Sequence, residues 1–384
     1  MSNTTTLSAL APVLFSAAQN VSAEPAGILD AINATWDDKG VAKGDSVKVP
    51  YAPVQETENF TPLNVSPVGN DQTAGSVSVT ITQSKKTKPM VLTGEQIRSL
   101  ENGGNYEEWV RQWAEQSMRS LRNLAEADAA AALKIGASRA VGTAGTTPFA
   151  TDLDLIVDVK QVLRDNGCPF SDPQLVINSA AAAKLQKLGI YQQAYAAGSD
   201  EERRSGIYKP QFGFQLRDSG GISTHTSGAA ANYVTDTAVD QVAGTTTILT
   251  DTGDAAILAG DVFSIADHGG YQYVVSANCG GDTTDGPLYI NRPGLRAVAT
   301  RNKAITFTGN YTPNFAFERS AVVGIMRPPL IPDNPTIKQM VISDKFGHSY
   351  LMLEIAQYGQ VIWEMHLAYG FKVVQPEHVA LILG

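Results

Sequence analysis

The pattern of apolar and polar positions changes character several times along the chain. Residues 1–43 carry scattered apolar side chains (Leu7, Leu10, Val13, Leu14 and Phe15) after the polar run Ser2-Asn3-Thr4-Thr5-Thr6. The spacing allows a turn or two of amphipathic helix but little core, so this segment is expected to be an arm lying on another surface. Gly44-Asp45-Ser46-Val47-Lys48-Val49-Pro50 reads as a strand that opens after a Gly-Asp turn and stops at proline. Residues 51–75 are rich in Pro, Asn and Thr. Val77, Val79 and Ile81 then alternate with Ser78, Thr80 and Thr82, a period-two strand with one polar face. Two strands joined by a long polar excursion predict an extended hairpin over residues 44–92. A loop of that length implies support from a neighbouring subunit.

The strongest periodic signal spans residues 105–135. Asn105 with Glu108 three residues later has the form of an N-cap pair, and Tyr106, Trp109, Val110, Trp113, Leu121, Leu124 and Ile135 follow near helical spacing. No Pro or Gly interrupts the run before Gly136, so the helix would be about 45 Å long at ~1.5 Å per residue. A Gly-Thr-rich linker (141–147) leads into alternating α/β material. It comprises a helix over 153–165 ended by Asn166-Gly167, the short strand Leu175-Val176-Ile177, and a helix over 179–188 with Gly189 at its end.

From about residue 235 to 309 the character is all β. Short runs such as Thr246-Thr247-Ile248-Leu249, Val262-Phe263-Ser264-Ile265, Tyr271-Gln272-Tyr273-Val274-Val275 and Ala304-Ile305-Thr306-Phe307 are separated by Gly-Asp and Asp-Gly turns. They predict a small barrel or sandwich. The α/β pattern resumes at Phe315, so this unit reads as an insertion. Closing strands are expected at 350–355, 361–367, 371–374 and 379–383.

Composition narrows the function. The chain has 384 residues, 43% of them apolar, enough for two or three folding units with a sizeable core. Net charge is −9, and no cluster of Lys and Arg is long enough to supply the many contacts of tight nucleic-acid binding. The basic run Lys85-Lys86-Thr87-Lys88 falls in a predicted turn and reads as a solvated tip. The two cysteines, Cys168 and Cys279, lack the paired spacing of a zinc site and fit a reducing cytoplasm. Residues 7–18 are too short and interrupted to span a bilayer.

Candidate chemistry is sparse. Asp251-Thr252-Gly253 has the form of the aspartic-protease triplet, in which two carboxylates share a proton. It occurs once, so a dimer would be needed, and Asp254 stands where that pattern has a small residue. An Asp-Gly turn is the expected reading. Asp282 and Asp285 offer two oxygen ligands, short of a calcium site. His225, His268, His348, His366 and His378 show no metal-binding spacing, and His366 reads as a sheet residue on a polar face. No serine sits in a G-x-S-x-G elbow. Gly142-Thr143-Ala144-Gly145 lacks the lysine of a phosphate loop. Trp109 and Trp113 could stack bases or sugars, but at i, i+4 on a long helix they read as core anchors. No catalytic, cofactor-binding or metal-binding residue is assigned, and a non-enzyme is expected.

The order of parts resembles major capsid proteins of the Hong Kong 97-type fold, an α+β class, and within them short-tailed-phage coat proteins with an inserted β-barrel. The resemblance rests on Gly44-Asp45-Ser46-Val47-Lys48-Val49-Pro50, on Asp165-Asn166-Gly167-Cys168-Pro169 with Leu175-Val176-Ile177-Asn178, and on Ala259-Gly260-Asp261-Val262-Phe263-Ser264-Ile265. It also rests on Asn314-Phe315-Ala316-Phe317-Glu318-Arg319-Ser320-Ala321 with Arg327-Pro328, and on Tyr369-Gly370-Phe371-Lys372-Val373-Val374-Gln375-Pro376-Glu377. It implies an N-terminal arm (1–43) and an extended loop (44–92). It further implies a peripheral domain (93–145 and 336–384) with its spine helix, an apical domain (146–235 and 310–335) and an inserted barrel (236–309). The implied function is an icosahedral shell of hexamers and pentamers around double-stranded DNA, assembled with a scaffolding protein and a portal, without cofactor or membrane. Covalent cross-linking by Lys and Asn, known in some members, has no matching residues here. A dimeric aspartic hydrolase using Asp251, or a tail or decoration protein, are the alternatives.

Overall fold

The computed structural model describes residues 7–21, 24–36, 42–51, 75–189, 210–279, 286–332 and 334–384. Its N-terminal region belongs to the body. Leu10, Leu14, Ala17, Ala18 and Val21 recur at helical spacing and are at most 1% exposed, forming the buried stripe of α1 (Leu7–Asn20) and the residue after it. A short helix α2 (Gly27–Ala31) and strand β1 (Asn33–Trp36) follow. The expectation of an arm with little core material is therefore corrected for these residues. Small side chains such as Ala17, Ala18 and Ala31 weigh little in a hydrophobicity count, yet they let the helices pack closely.

Strands β2 (Ser46–Tyr51) and β3 (Gly75–Thr80) pair antiparallel from Ser46↔Thr80 to Tyr51↔Gly75. The excursion expected between them falls on 52–74, outside the described residues. β4 (Gln83–Lys86) and β5 (Met90–Thr93) follow, so Lys85 and Lys86 lie in a strand and not in the predicted turn. Helix α3 (Gly94–Asn102) opens on a capping box, with Gln96 N donating to Thr93 Oγ1 and Thr93 N to Gln96 Oε1. The cap pair expected at Asn105 and Glu108 does not form, because Glu108 accepts from Arg111 and Gln112 on the next turn.

Helix α4 (Tyr106–Gly136) is 31 residues long. Val110, Ala114, Met118, Leu121, Ala125, Ala129 and Leu133 step by three or four residues along its inward face, all buried. Trp109 and Trp113 flank this stripe as partly buried core residues, and Trp113 meets Trp363 edge-on at 6.5 Å. The helix ends where it passes a C-terminal strand. A Cβ on Gly136 would lie 2.3 Å from Val373 Cγ2.

Beyond α4 come β6 (Arg139–Val141), α5 (Asp154–Asp165), β7 (Pro173–Asn178), α6 (Ser179–Lys187) and β8 (Gln215–Ser219). The β-rich region holds β9 (Val234–Thr235), β10 (Thr247–Ile248), β11 (Thr250–Asp251), β12 (Val262–Ile265), β13 (Gln272–Val274), β14 (Leu288–Tyr289) and β15 (Ile305–Phe307). The chain closes with β16 (Pro313–Glu318), β17 (Val322–Arg327), β18 (Ile337–Ser343), β19 (Ser349–Gln357), β20 (Gln360–Val373) and β21 (Val379–Leu383). The break expected between 367 and 371 is absent. A Cβ on Gly370 would lie 2.1 Å from the Thr80 carbonyl oxygen, so this glycine marks a close approach of two chain segments within one long strand.

Two sheets organise the body. One has the order β1–β17–β20–β19–β18, with β4 and β5 also paired to β20. Helices α1 and α4 cover its inner face, where Tyr350, Met352, Trp363, Met365, Leu367 and Tyr369 join the main core. The other runs β15–β12–β13–β6–β21–β16–β7–β8, with α5 and α6 packed around Leu175, Ile177, Ala380 and Ile382. The β-rich region has its own core, including Tyr233, Ile248, Phe263, Tyr273, Leu288 and Ile305. Its strands β15, β12 and β13 form one end of the larger sheet, because β6 offers an edge that β13 takes up at Gln272↔Ala140 and Tyr273↔Arg139. Within this region β10 and β11 lie on one segment that pairs with β14 on one side and β9 on the other, and the bridges Val275↔Ile290 and Val234↔Ala304 link β14 towards β13 and β9 towards β15.

Candidate assembly surfaces

The β2–β3 ladder forms a two-stranded sheet of its own. Its root is fixed. Val79 is buried with Ile81, Val323, Ile325, Ala368 and Val374, and Val49 and Val77 pack against them. Gly44 N donates to Ile81 O at 3.0 Å, Ile81 N to Asp45 O at 2.9 Å, and Lys372 Nζ to Ser78 O at 3.2 Å. At the far end Tyr51 covers Gly75, and the Arg292 guanidinium carbon lies 5.2 Å from the Tyr51 ring centroid. Between these anchors Val79 is the one buried residue of the two strands, and Val47 is 39% exposed. Both outer edges of the ladder lack a strand partner among the described residues.

A second feature ties the N-terminal region to α4. Glu126 is 1% exposed and accepts from Ile28 N at 2.8 Å, Leu29 N at 2.9 Å and Ser219 Oγ at 2.6 Å. The two amides belong to the first turn of α2, whose N-cap residue Ala26 has no side-chain acceptor. Glu126 thus satisfies donors that a local cap would ordinarily take. Burial pushes the Glu126 pKa up, against the bonds from Ser219, Ile28 and Leu29. One turn earlier, buried Arg122 reaches Asp30 at 3.5 Å and lies 3.5 Å over the Phe346 ring. The sequence carried a signal for both residues, since Arg122 and Glu126 interrupt the apolar face of α4.

The residues singled out for chemistry are dispersed. Asp251 lies opposite Val234 and accepts from Thr237 N at 2.6 Å and from Thr237 Oγ1, and these bonds hold its carboxyl below the usual range. The chain turns at Thr252 (φ 49°) and Gly253 (φ 147°), and Asp254 accepts from Asn232 Nδ2 at 2.8 Å. Asp282 and Asp285 lie outside the described residues. The five histidines face different partners: His225 meets Asp261, His268 meets Tyr273, His348 meets Asp344, His366 meets Glu364 and His378 meets Gln375. Among the described residues no group of three or more His, Cys, Asp and Glu side chains could hold a metal ion. Gly142 and Gly145 are turn residues with φ of 95° and 77°. Cys168 and Cys279 are free thiols, and burial pushes Cys168 up to about 11. Among the described residues no helix is long and apolar enough to cross a membrane.

No family model matches the chain, and no curated protein matches it in sequence. Several solved structures are similar to it over nearly its full length. A structure of Mycobacterium phage Che8 is 13% identical with a TM-score of 0.48, covering 94% of this chain and 92% of that one. The capsid structure of the cyanophage P-SCSP1u is 12% identical with a TM-score of 0.49, covering 94% and 89%. A virus-like particle from Pyrococcus furiosus is 10% identical with a TM-score of 0.45, covering 98% of each chain.

Proposed function

We propose that this chain is a major capsid protein, a structural subunit that self-assembles into the icosahedral shell around the double-stranded DNA of a tailed virus. The β2–β3 ladder carries the reading. A two-stranded ladder is marginal alone in water and offers open edges to other chains. The sequence beyond it, 52–74, has few apolar residues, and ordering it costs about 1–2 kcal/mol per residue in backbone entropy. Neighbouring subunits supply the missing surface, so that each subunit staples the next.

In this reading residues 93–145 and 336–384 form the peripheral domain, 146–235 and 310–335 the apical domain, and 236–309 an inserted unit. Copies form hexamers and pentamers, with a scaffolding protein and portal as assembly partners. The subunit is made in the host cytoplasm and resides in the virion. A net charge of −9 without a basic stripe suits an enclosure that holds DNA without gripping it. Neither catalysis nor a cofactor has a part. Limited proteolysis tests the staple. Cleavage within residues 51–76 should be rapid in unassembled protein and suppressed after assembly, and equal rates in both states would sink the proposal.

A further inference from the structure

We infer that Lys134 is a selectively reactive amine, a site able to take acyl groups from activated carbonyl compounds such as thioesters. It lies at the neck of the β-rich unit, which the chain enters near His225 and leaves near Tyr311. These two residues are bridged by His225 N to Tyr311 O at 2.7 Å and Tyr311 N to His225 O at 3.3 Å. Lys134, from the last turn of α4, places Nζ 3.0 Å from His225 Nδ1, and His225 Nε2 lies 2.8 Å from Asp261 Oδ1. Asp261 is 1% exposed and is fixed by Leu258 N at 2.8 Å and Gly228 N at 3.2 Å. The Tyr311 ring stands 5.2 Å from the imidazole.

This geometry restricts where protons can sit. An ammonium and an imidazolium cannot hydrogen-bond each other at 3.0 Å, because neither has a lone pair to offer. The contact therefore holds one proton. Either Lys134 donates to neutral His225, or His225, doubly protonated against Asp261, donates to a neutral Lys134. The second arrangement presents a free amine, with its charge moved to an imidazolium that a buried carboxylate stabilises. Burial also lowers the Lys134 pKa, although Asp261 pulls the other way. A nucleophile in hydrogen-bond reach of a base, itself oriented by a third group, is a general means of activation. Lys134 is half-buried, whereas His225 and Asp261 beneath it are buried.

In the reaction, neutral Lys134 Nζ attacks the acyl carbon. The N–C bond forms, the C–S bond breaks, and the thiolate leaves with the electron pair. The imidazolium gives its Nδ1 proton to the leaving thiolate, and the neutral imidazole so formed takes the proton shed by Nζ, giving an amide, a thiol and the starting imidazolium.

The test treats the full-length protein with limiting N-hydroxysuccinimidyl acetate and, separately, a small acetyl thioester, between pH 6 and 10. Acetylation at each lysine is read by mass spectrometry. At pH 7 Lys134 should react several-fold faster than the exposed Lys88 and Lys187, because its lowered pKa raises the free-amine fraction. Its rate should also begin to rise at a lower pH. His225→Gln, if folded by circular dichroism, should lose both advantages. A Lys134 rate at or below that of Lys88 and Lys187 overturns the inference, as does a folded His225→Gln variant that still labels fast. Should that variant not fold, the wild-type ratio and pH profile decide alone.

Discussion

Replacing Glu126 by alanine removes one acceptor from three donors at once. The Ser219 hydroxyl can turn elsewhere, but Ile28 and Leu29 are buried and their amides cannot reach water. Each orphaned buried donor costs about 1–3 kcal/mol, so the pair sets a loss of about 2–6 kcal/mol. Removing a carboxylate that burial disfavours offsets part of this, which leaves a net loss of about 3 kcal/mol. Glu126→Gln keeps one acceptor oxygen and should lose roughly half as much. Hydrogen exchange is the direct assay. Amides of α2 and β1 should open faster in Glu126→Ala, while those of α5 and α6 should not change. The sign with pH follows from the raised pKa. The native state keeps the Glu126 proton to higher pH than the unfolded chain, so its stability contribution falls as pH rises from about 4.3 through the raised value. Glu126→Gln should flatten that part of the profile. If Glu126→Ala left exchange at Ile28 and Leu29 unchanged, the assignment of Glu126 as the surrogate cap of α2 would be wrong.

Gly370→Ala should destabilise by about 1–3 kcal/mol through overpacking, because the new Cβ meets the Thr80 backbone; thermal unfolding reads the loss. Asp344 is buried, which disfavours its charge, yet hydrogen bonds from His348 outweigh this and hold its pKa below the usual value. Its contribution is therefore full above about pH 3.9 and lost as pH falls through the lowered value, so Asp344→Asn should be less stable at neutral pH and show a flatter acid limb in urea titrations. Asp251→Asn should leave assembly intact, and an acid-optimum peptidase activity abolished by this change would revive the hydrolase alternative.

Long, strongly periodic elements were legible in the sequence. The α4 helix, the strand 262–265, the C-terminal strand 379–383 and the pairing of the two strands at 46–51 and 75–80 all follow from apolar spacing and turn residues. Elements resting on small or polar residues were not. Helix α1 packs through alanines, β4 is Gln-Ser-Lys-Lys held by its pairing to β20, and β18 is an edge strand with a weak alternation. Caps were ambiguous for a physical reason: Thr93 with Gln96 and Asn105 with Glu108 have the same spacing, but Arg111 draws Glu108 away from the second. The glycine at 136 reads as a stop from sequence, whereas it and Gly370 each mark a close approach of another chain segment. The polar contacts of Glu126, Lys134 and Asp261 join residues about ninety or more positions apart in two of the three cases, and no local pattern reveals such pairs.

The most direct measurement of the central claim is electron microscopy of the full-length protein, expressed, purified and concentrated. The account predicts closed shells or open shell fragments built of five- and six-membered rings, in equilibrium with subunits poised to add. A chain that remains a discrete compact dimer at every concentration, forming no rings or shells, would contradict it.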